Sequence, residues 1–326
     1  ADTVPYANVL LPAAAWGEKD GTVTNSERRI SRQRAFLELP GEVRPDWWHL
    51  SEVARRMGFA GAFSFEGPAA IFREHAALSG YRNEGSRDFD IGAYRDVTNA
   101  AFDALEPFQW PQPAGMLPAD TRFFAGGGFF TESGKGQFVP VVFKAPRQTE
   151  RRYPFSLNTG RIRDQWHTMT RTGKTPRLTA HFAEPFAELN PIDAEKLGID
   201  PADLVTVKSS YGAVVVRALP TDRVVPGEVF VPMHWTDQLA SKARIDAVMA
   251  PETDPHSGQP GSKFTPVAVA KAKMAWFGFA VLRQRPEKIA ADYWALAPVP
   301  GGYRLEFAAK AEIGRAHVLN SSHANI

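Results

Sequence analysis

The chain has 326 residues, a formal net charge of +2, 44% hydrophobic residues and no cysteine. That length allows two domains with sizeable cores, and the near-neutral balance excludes a surface built over its whole extent for nucleic acid. The missing thiols exclude disulfides and any thiolate ligation of a metal or iron–sulfur cluster by this chain, and no run approaches the roughly 18 to 20 apolar residues of a membrane span.

The start, ADTVPYANVLLP, has no basic stretch before its apolar run, so it does not read as a signal peptide. Lacking an initiator Met, it reads as the middle of a longer chain. Ala7 to Leu11 is a short apolar run ended by Pro12, which predicts a buried strand. A polar loop follows, with Gly17 and Gly21 as breakers. Asp46 is expected to cap a helix whose stripe is Trp47, Leu50, Val53, Ala54 and Met57, stopped by Gly58. A second helix is predicted from Pro68 to Leu78 and a third from Asp90 to Leu105. Pro107 to Pro118 reads as a linker or surface crossover. Aromatic and Val content predicts strands around the glycines 126–128, over Phe123–Phe130 and Gln137–Phe143. A phosphate-loop reading fails there, because Phe129 stands where the first glycine is required and Gly136 follows Lys135.

From Tyr153 the pattern turns to short strands and tight turns. Tyr153 to Leu157 is apolar and extended. Asn190-Pro191 opens a short helix with Asp193 in its first turn, and Gly198 closes it. Leu204–Lys208 and Ala213–Leu219 flank Ser209–Gly212 as a hairpin, and Pro226-Gly227 turns into Glu228–Pro232. Closely spaced strands with one short helix predict a β-barrel-like domain. Trp276 to Ala308 is expected to pack back on it. Glu312 to Ile326 (EIGRAHVLNSSHANI) resembles the translation of a sequencing-library adapter and is expected to be non-native, so His317 and His323 are set aside.

The stretch most suggestive of chemistry is Asn158 to Arg177, NTGRIRDQWHTMTRTGKTPR. It sets Arg161, Arg163, Arg171, Lys174 and Arg177 against a single acid, Asp164, with Gly160 and Gly173 freeing the backbone and Trp166 and His167 adjacent. Guanidinium forks, Thr hydroxyls and a free backbone N–H suit a pyrophosphate-bearing ligand; a solvated Arg-rich loop or a protein interface is the equal alternative from these residues alone. His167, His181, His234 and His256 lack metal-ligand spacing and read as core or hydrogen-bonding histidines, with His167 placed to touch a ligand. Lys263, near the end of the turn-rich Asp254–Pro260, reads as a solvated charge. No Gly-x-Ser-x-Gly elbow supports a serine triad, and Glu18 and Asp20 read as a polar loop.

YPFSLNTGRIRDQWHTMTRTGKTPRL, PGEVFVPMHW and TDPHSGQPGSK resemble the C-terminal domain of the molybdopterin oxidoreductase family, and within it the bacterial assimilatory nitrate reductases most. WGEKDGTVTNSERRISRQRAF resembles the α/β domain that precedes it, and WFGFAVLRQRPEKIAADYWALAPVPGGYRLEFA its extension. The resemblance covers about residues 1–310. It implies an α/β plus β chain: the remnant of an α/β domain over 1–110, a linker over 111–150, a double-psi β-barrel over 151–275, an extension over 276–311 and the non-native tail over 312–326. It implies a Mo-bis(molybdopterin guanine dinucleotide) cofactor, with Thr159, Gly160, Arg161, Ile162, Arg163, Asp164, Gln165, Trp166, His167 and Thr168 wrapping one dinucleotide. Asp246 and Lys263 match further cofactor positions, Asp246 standing where relatives often carry Asn. Met233 matches a position lining the substrate funnel, and Asn8 stands where relatives often carry Asp.

The implied reaction is two-electron reduction of nitrate to nitrite in the cytoplasm. The implied electron donor is ferredoxin, flavodoxin or an NADH-linked reductase subunit, with no nucleic-acid or membrane partner. With no cysteine here, the [4Fe–4S] ligands and a cysteine ligand of molybdenum are expected in an upstream half, and this chain alone is expected to be inactive. A periplasmic nitrate reductase or formate dehydrogenase relative is the near alternative. A nucleotide- or RNA-binding barrel is the distant one, and only Trp166 and Tyr153 would serve it as stacking platforms.

Overall fold

The computed structural model describes residues 3–116, 119–120, 122–140, 142–143 and 148–311. The 312–326 tail therefore lies outside the described residues, as do Val141 within Gln137–Phe143 and Leu117-Pro118 at the end of the proline-rich stretch. The chain divides into two compact units, Ala7–Val142, and Ala1–Tyr6 with Phe143–Ile326. Among the described residues no helix is long and apolar enough to cross a membrane.

In the unit Ala7–Val142, β1 (Gly21–Thr24) and β2 (Arg29–Gln33) form an antiparallel pair. Helices α1 (Asp46–Arg56), α2 (Pro68–Gly80) and α3 (Asn99–Asp103) follow, and β3 (Phe108–Gln109) adds to β2. Ile30, Phe72, Ala76, Ile91, Phe102 and Phe108 make its core.

The described residues of Gln137–Phe143 form no strand, and four further expectations fail here, each of the four for a physical reason. Ala7–Leu11 forms no strand, and Val9, Leu10 and Leu11 are exposed: among the described residues no strand lies beside this run for its backbone to pair with. Pro45, not Asp46, holds the cap position of α1, and the Asp46 carboxylate instead accepts from Lys19 Nζ at 2.5 Å. The expected third helix is broken in two, because the Asp90 carboxylate captures Gly92 N at 2.8 Å and Thr98 Oγ1 captures Ala101 N at 3.1 Å. Only the short Gly92–Tyr94 turn and α3 remain helical. The aromatic run 123–130 forms a stacked knot rather than strands: Phe124 lies 4.4 Å from Phe129 and 5.1 Å from Phe123, with positive φ at Phe124, Gly127 and Gly128.

The second unit holds β4 (Phe155–Gly160), α4 (Pro176–Thr179), β5 (Phe186–Leu189), α5 (Pro191–Leu197), β6 (Leu204–Lys208), β7 (Ala213–Pro220), β8 (Glu228–Pro232) and β9 (Thr265–Lys271). The six strands close in the order β4-β8-β5-β7-β6-β9. The pairs β4–β8 and β5–β7 are parallel and the rest antiparallel, which is the double-psi barrel the resemblance implied. Local chemistry explains the elements. Asn190 Oδ1 accepts from Ile192 N at 3.0 Å to start α5, and Gly198 at φ 62 ends it. The β-branched runs of β6 and β7 pair across Ser209–Gly212, with Leu157, Val205, Val207, Val229 and Val267 fully buried.

The expected appendage is a sheet of β10 (Trp276–Leu282), β11 (Tyr293–Val299) and β12 (Gly302–Ala309), in the order β10-β12-β11. Its Tyr293, Ala295 and Ala308 join the barrel core. Tyr293 Oη donates to Glu184 Oε2 at 2.8 Å, and the same oxygen takes Arg217 Nε at 2.8 Å.

Strand directions put three connections at one end of the barrel. β4, β6 and β8 end there, and β5, β7 and β9 begin there, because Gly160 pairs with Pro232, Glu188 with Phe230, Leu157 with Thr265 and Lys208 with Ala213 and Ala268. Residues 161–185, 209–212 and 233–264 therefore share one mouth.

Candidate functional site

Every sequence-predicted site residue except Asn8 belongs to this mouth or to the strand end that enters it. Asn8 is exposed in the other unit. Thr159 is buried at the end of β4 and its Oγ1 donates to Val231 O at 2.7 Å. Gly160 has little room for a side chain: a Cβ would lie 3.3 Å from Phe230 and 3.5 Å from Lys263 Nζ. Lys263 is exposed, as its loop suggested, but its Nζ also donates to Thr159 O at 2.5 Å, which ties it to the end of β4. Met233 N donates to Gly160 O at 3.0 Å, tying the start of the β8–β9 connection to the end of β4. Asp246 shares the mouth but not this contact network. It is exposed on a short 3₁₀ turn, Ile245–Ala247, that packs on the β6–β7 turn.

The segment after Gly160 turns back on itself. Ile162 N donates to His234 Nε2 at 2.9 Å, and His234 Nδ1 meets His167 O at 2.6 Å. His234 is fully buried, and burial first of all pushes its pKa below the ordinary value. The reading of His234 as a hydrogen-bonding histidine holds. Arg163 forks onto Asp164 at 2.9 and 3.1 Å, and His181 Nδ1 lies 2.6 Å from Asp164 Oδ2. Arg163 first, and His181 after it, hold the Asp164 carboxyl below the usual carboxylate range against a smaller burial effect. Gln165 is buried, its Nε2 bound to Leu178 O at 2.9 Å and its Oε1 without a donor. Trp166 is exposed, edge-on to His167, with the Arg161 guanidinium 5.1 Å from its ring; Thr168 Oγ1 lies 3.0 Å from Thr170 Oγ1.

A cleft of about 520 Å³ opens beside this segment, lined by Arg161, Ile162, Arg163, Asp164 and His181, and by Phe182, Phe186, Glu188, Arg223 and Phe230. It sits on the outer wall where β5 and β8 pair, since Glu188 and Phe230 face out between the buried Ala187, Leu189, Val229 and Val231. Arg223 binds Glu188 at 2.6 Å.

Two features differ from the sequence reading. Arg171, Lys174 and Arg177 do not line the cleft. Three guanidinium groups face two carboxylates there, so the excess charge is smaller than the segment alone suggested. Arg223, Glu188 and Phe230 escaped sequence reasoning. The signal was available in Phe230, an aromatic on the outward parity of a short strand. Guanidinium donors against a phenylalanine wall fit a diphosphate joined to a flat heterocycle. Among the described residues no cluster of His, Asp or Glu is arranged to hold a metal ion.

Residues 155–266 match the model of the Molydopterin dinucleotide binding domain, and residues 1–56 match that of Molybdopterin oxidoreductase. The chain belongs to the molybdopterin oxidoreductase family. Members similar to it include the nitrate reductase of Klebsiella oxytoca, 46% identical over 94% of this chain and 35% of that protein. The nitrate reductase of Shewanella frigidimarina is 37% identical over 85% of this chain and 32% of its own length. The F420-dependent formate dehydrogenase subunit alpha of Methanocaldococcus jannaschii is 33% identical over 72% and 33%. The chain thus spans about one third of the length of these relatives. Acetylene hydratase from Pelobacter acetylenicus shares the fold, with a TM-score of 0.60 at 19% identity over 80% of this chain and 38% of that one.

Proposed function

We propose that this chain is the cofactor-embracing part of an assimilatory nitrate reductase, acting in the cytoplasm. The domain plan is the one the resemblance implied, with 151–275 as the dinucleotide-binding barrel and 1–110 as the end of the preceding α/β domain. The observation that carries the reading is the cleft on the outer wall of the barrel beside the segment after Gly160, where Arg161, Arg163 and Arg223 face an aromatic wall inside the matched dinucleotide-binding region.

On this reading Thr159 to Thr168 wrap one guanine dinucleotide of a Mo-bis(molybdopterin guanine dinucleotide) cofactor, with Arg161 and Arg163 supplying guanidinium donors. Asp246 and Lys263 complete the contacts from the β8–β9 connection, Lys263 by fixing the Thr159 carbonyl. Met233 borders the substrate path. The bound cofactor supplies the two-electron reduction of nitrate to nitrite; this chain's residues supply placement and electrostatics. On this reading the [4Fe–4S] ligands and a cysteine ligand of molybdenum lie in an upstream half, since this chain has no cysteine. The electron donor is ferredoxin, flavodoxin or an NADH-linked subunit. A formate dehydrogenase is the second reading, favoured by the 33% identity to the formate dehydrogenase subunit. The higher identity and coverage of the Klebsiella oxytoca nitrate reductase support the first reading over it.

The test is calorimetric titration with GDP, a probe of the nucleotide diphosphate half. Binding is expected, and Arg161→Ala weakens it roughly tenfold, the scale of one lost charge-assisted hydrogen bond. No GDP binding by the wild type, or equal affinity after Arg161→Ala and Arg163→Ala, overturns the reading.

A further inference from the structure

The geometry points to His234 as the positioning residue of the dinucleotide loop: one buried imidazole, donating at Nδ1 and accepting at Nε2, holds both ends of Ile162–His167 and so sets the face that Arg163 and Asp164 present to the cleft. The inference rests on the proposed cofactor reading for its purpose, though not for its geometry.

The hydrogen bonds leave one tautomer. A backbone N–H can only donate, so His234 Nε2, 2.9 Å from Ile162 N, accepts and carries no proton. A carbonyl can only accept, so Nδ1, 2.6 Å from His167 O, bears the hydrogen. No protein group remains to be satisfied at the ring, and the side chain is fully buried. Both anchored residues are on the loop, 72 and 67 positions away in sequence. His234 itself follows β8, which is pinned to β4 through Gly160 and Pro232. The loop is thus referenced to the barrel wall through one ring.

The loop needs such a reference, because it holds backbone conformations it would not keep alone. His167 has φ 44 and Met169 φ 57, both in the left-handed region that non-glycine residues seldom occupy. Met169 is fixed by burial and by its contact with Gly173, where a Cβ would fall 2.8 Å from Met169 Cβ. His167 is exposed, and its carbonyl is what His234 captures. Between the two anchors Arg163 and Asp164 face the cleft and Gln165 turns inward to Leu178 O.

Protonating Nε2 would set a ring N–H against the Ile162 N–H and remove one anchor. After burial, the largest influence on the ring is its hydrogen bond to the His167 carbonyl, which favours the protonated form; the charges of His167 and Arg161 oppose it, and burial with these charges keeps the pKa lowered. A depressed imidazole pKa means this anchoring is complete above the unfolded pKa and is lost as pH falls through the folded one.

The experiment uses the full chain, with ring ¹⁵N shifts and amide exchange protection at Ile162 read by NMR and GDP as the ligand probe. In the wild type, Nε2 is expected unprotonated at pH 7, and Ile162 protection falls on acidification below the ordinary imidazole value of 6.5. His234→Phe lowers Ile162 protection and GDP affinity roughly tenfold each. His234→Gln, whose amide keeps one donor and one acceptor, recovers most of both and abolishes the pH dependence. A protonated Nε2 at pH 7, unchanged Ile162 protection in His234→Phe, or Gln behaving like Phe overturns the proposal; if Phe prevents folding, the wild-type ring shifts and the Gln variant still decide. A wild type that binds no GDP sinks the cofactor reading, and the exchange data then judge the loop anchor alone.

Discussion

Apolar surface is handled differently in the two units. In the barrel unit β-branched strands close into a ring and the attached sheet lends it Tyr293, Ala295 and Ala308, so Leu157, Val205, Val207, Val229 and Val267 are fully buried. In Ala7–Val142 the core is small, and the stripe of α1 faces solvent: Leu50 is 68% exposed, Val53 49% and Met57 68%, with Val9 to Leu11 and Phe36 exposed as well. An amphipathic pattern is a statement about what a segment can bury, and burial needs a second surface. A barrel carries that surface within its own closure; a helix on an edge must be given one.

The sharpest test of this contrast pairs two leucines. Leu157→Ala is expected to cost about 2–5 kcal/mol of unfolding free energy, transfer and cavity terms together. Leu50→Ala is expected to stay within about 0.5 kcal/mol. Urea unfolding of both variants measures it. Equal costs would mean that α1 is covered in solution and would break the comparison.

Legibility follows the same line. The strands of the barrel and the helix from Asn190-Pro191 to Gly198 could be read because their signals are local: β-branched runs, a side-chain cap, a left-handed glycine. Ala7–Leu11 and the aromatics 123–130 were misread because strand propensity says nothing of whether a neighbouring strand exists. The loop after Gly160 stood out by its Arg, Gly and Thr content. Its electrostatics did not, since Asp164 is answered by Arg163 beside it and by His181 17 positions on, and Glu188 by Arg223 35 positions on. The pairings with His181 and Arg223 depend on how the connections between strands fold back, which residue types alone do not carry.

Gly212 gives the next largest effect and probes the closed side of the comparison. A Cβ there would sit 2.2 Å from Ala247 O, so the β6–β7 turn and the 245–247 turn must separate. Gly212→Ala is expected to cost about 1–3 kcal/mol, the scale of overpacking, and to expose Ser209, whose Oγ now donates to Val248 O at 2.7 Å. Amide exchange at Val248 and Met249 should rise with the loss of stability. A silent Gly212→Ala would show that the mouth of the barrel yields more easily than its wall.

The smallest effect concerns charge at that mouth. Asp164 carries a lowered pKa, with Arg163 the largest cause of the lowering, so it ionises more readily in the folded chain than in the unfolded one. Its contribution is therefore present above the unfolded carboxyl pKa and lost as pH falls through the folded value. Because Arg163 and His181 are largely exposed, solvent screens the cluster, and Asp164→Asn should leave the denaturation midpoint at pH 7 nearly unchanged. The difference should appear in recognition. With the carboxylate gone, Arg163 loses its fork and the cleft gains a unit of positive charge, so GDP affinity should rise about twofold to fivefold and become more sensitive to salt. Weaker GDP binding in Asp164→Asn would mean that Asp164 acts by orienting Arg163, and that geometry outweighs net charge in this cleft.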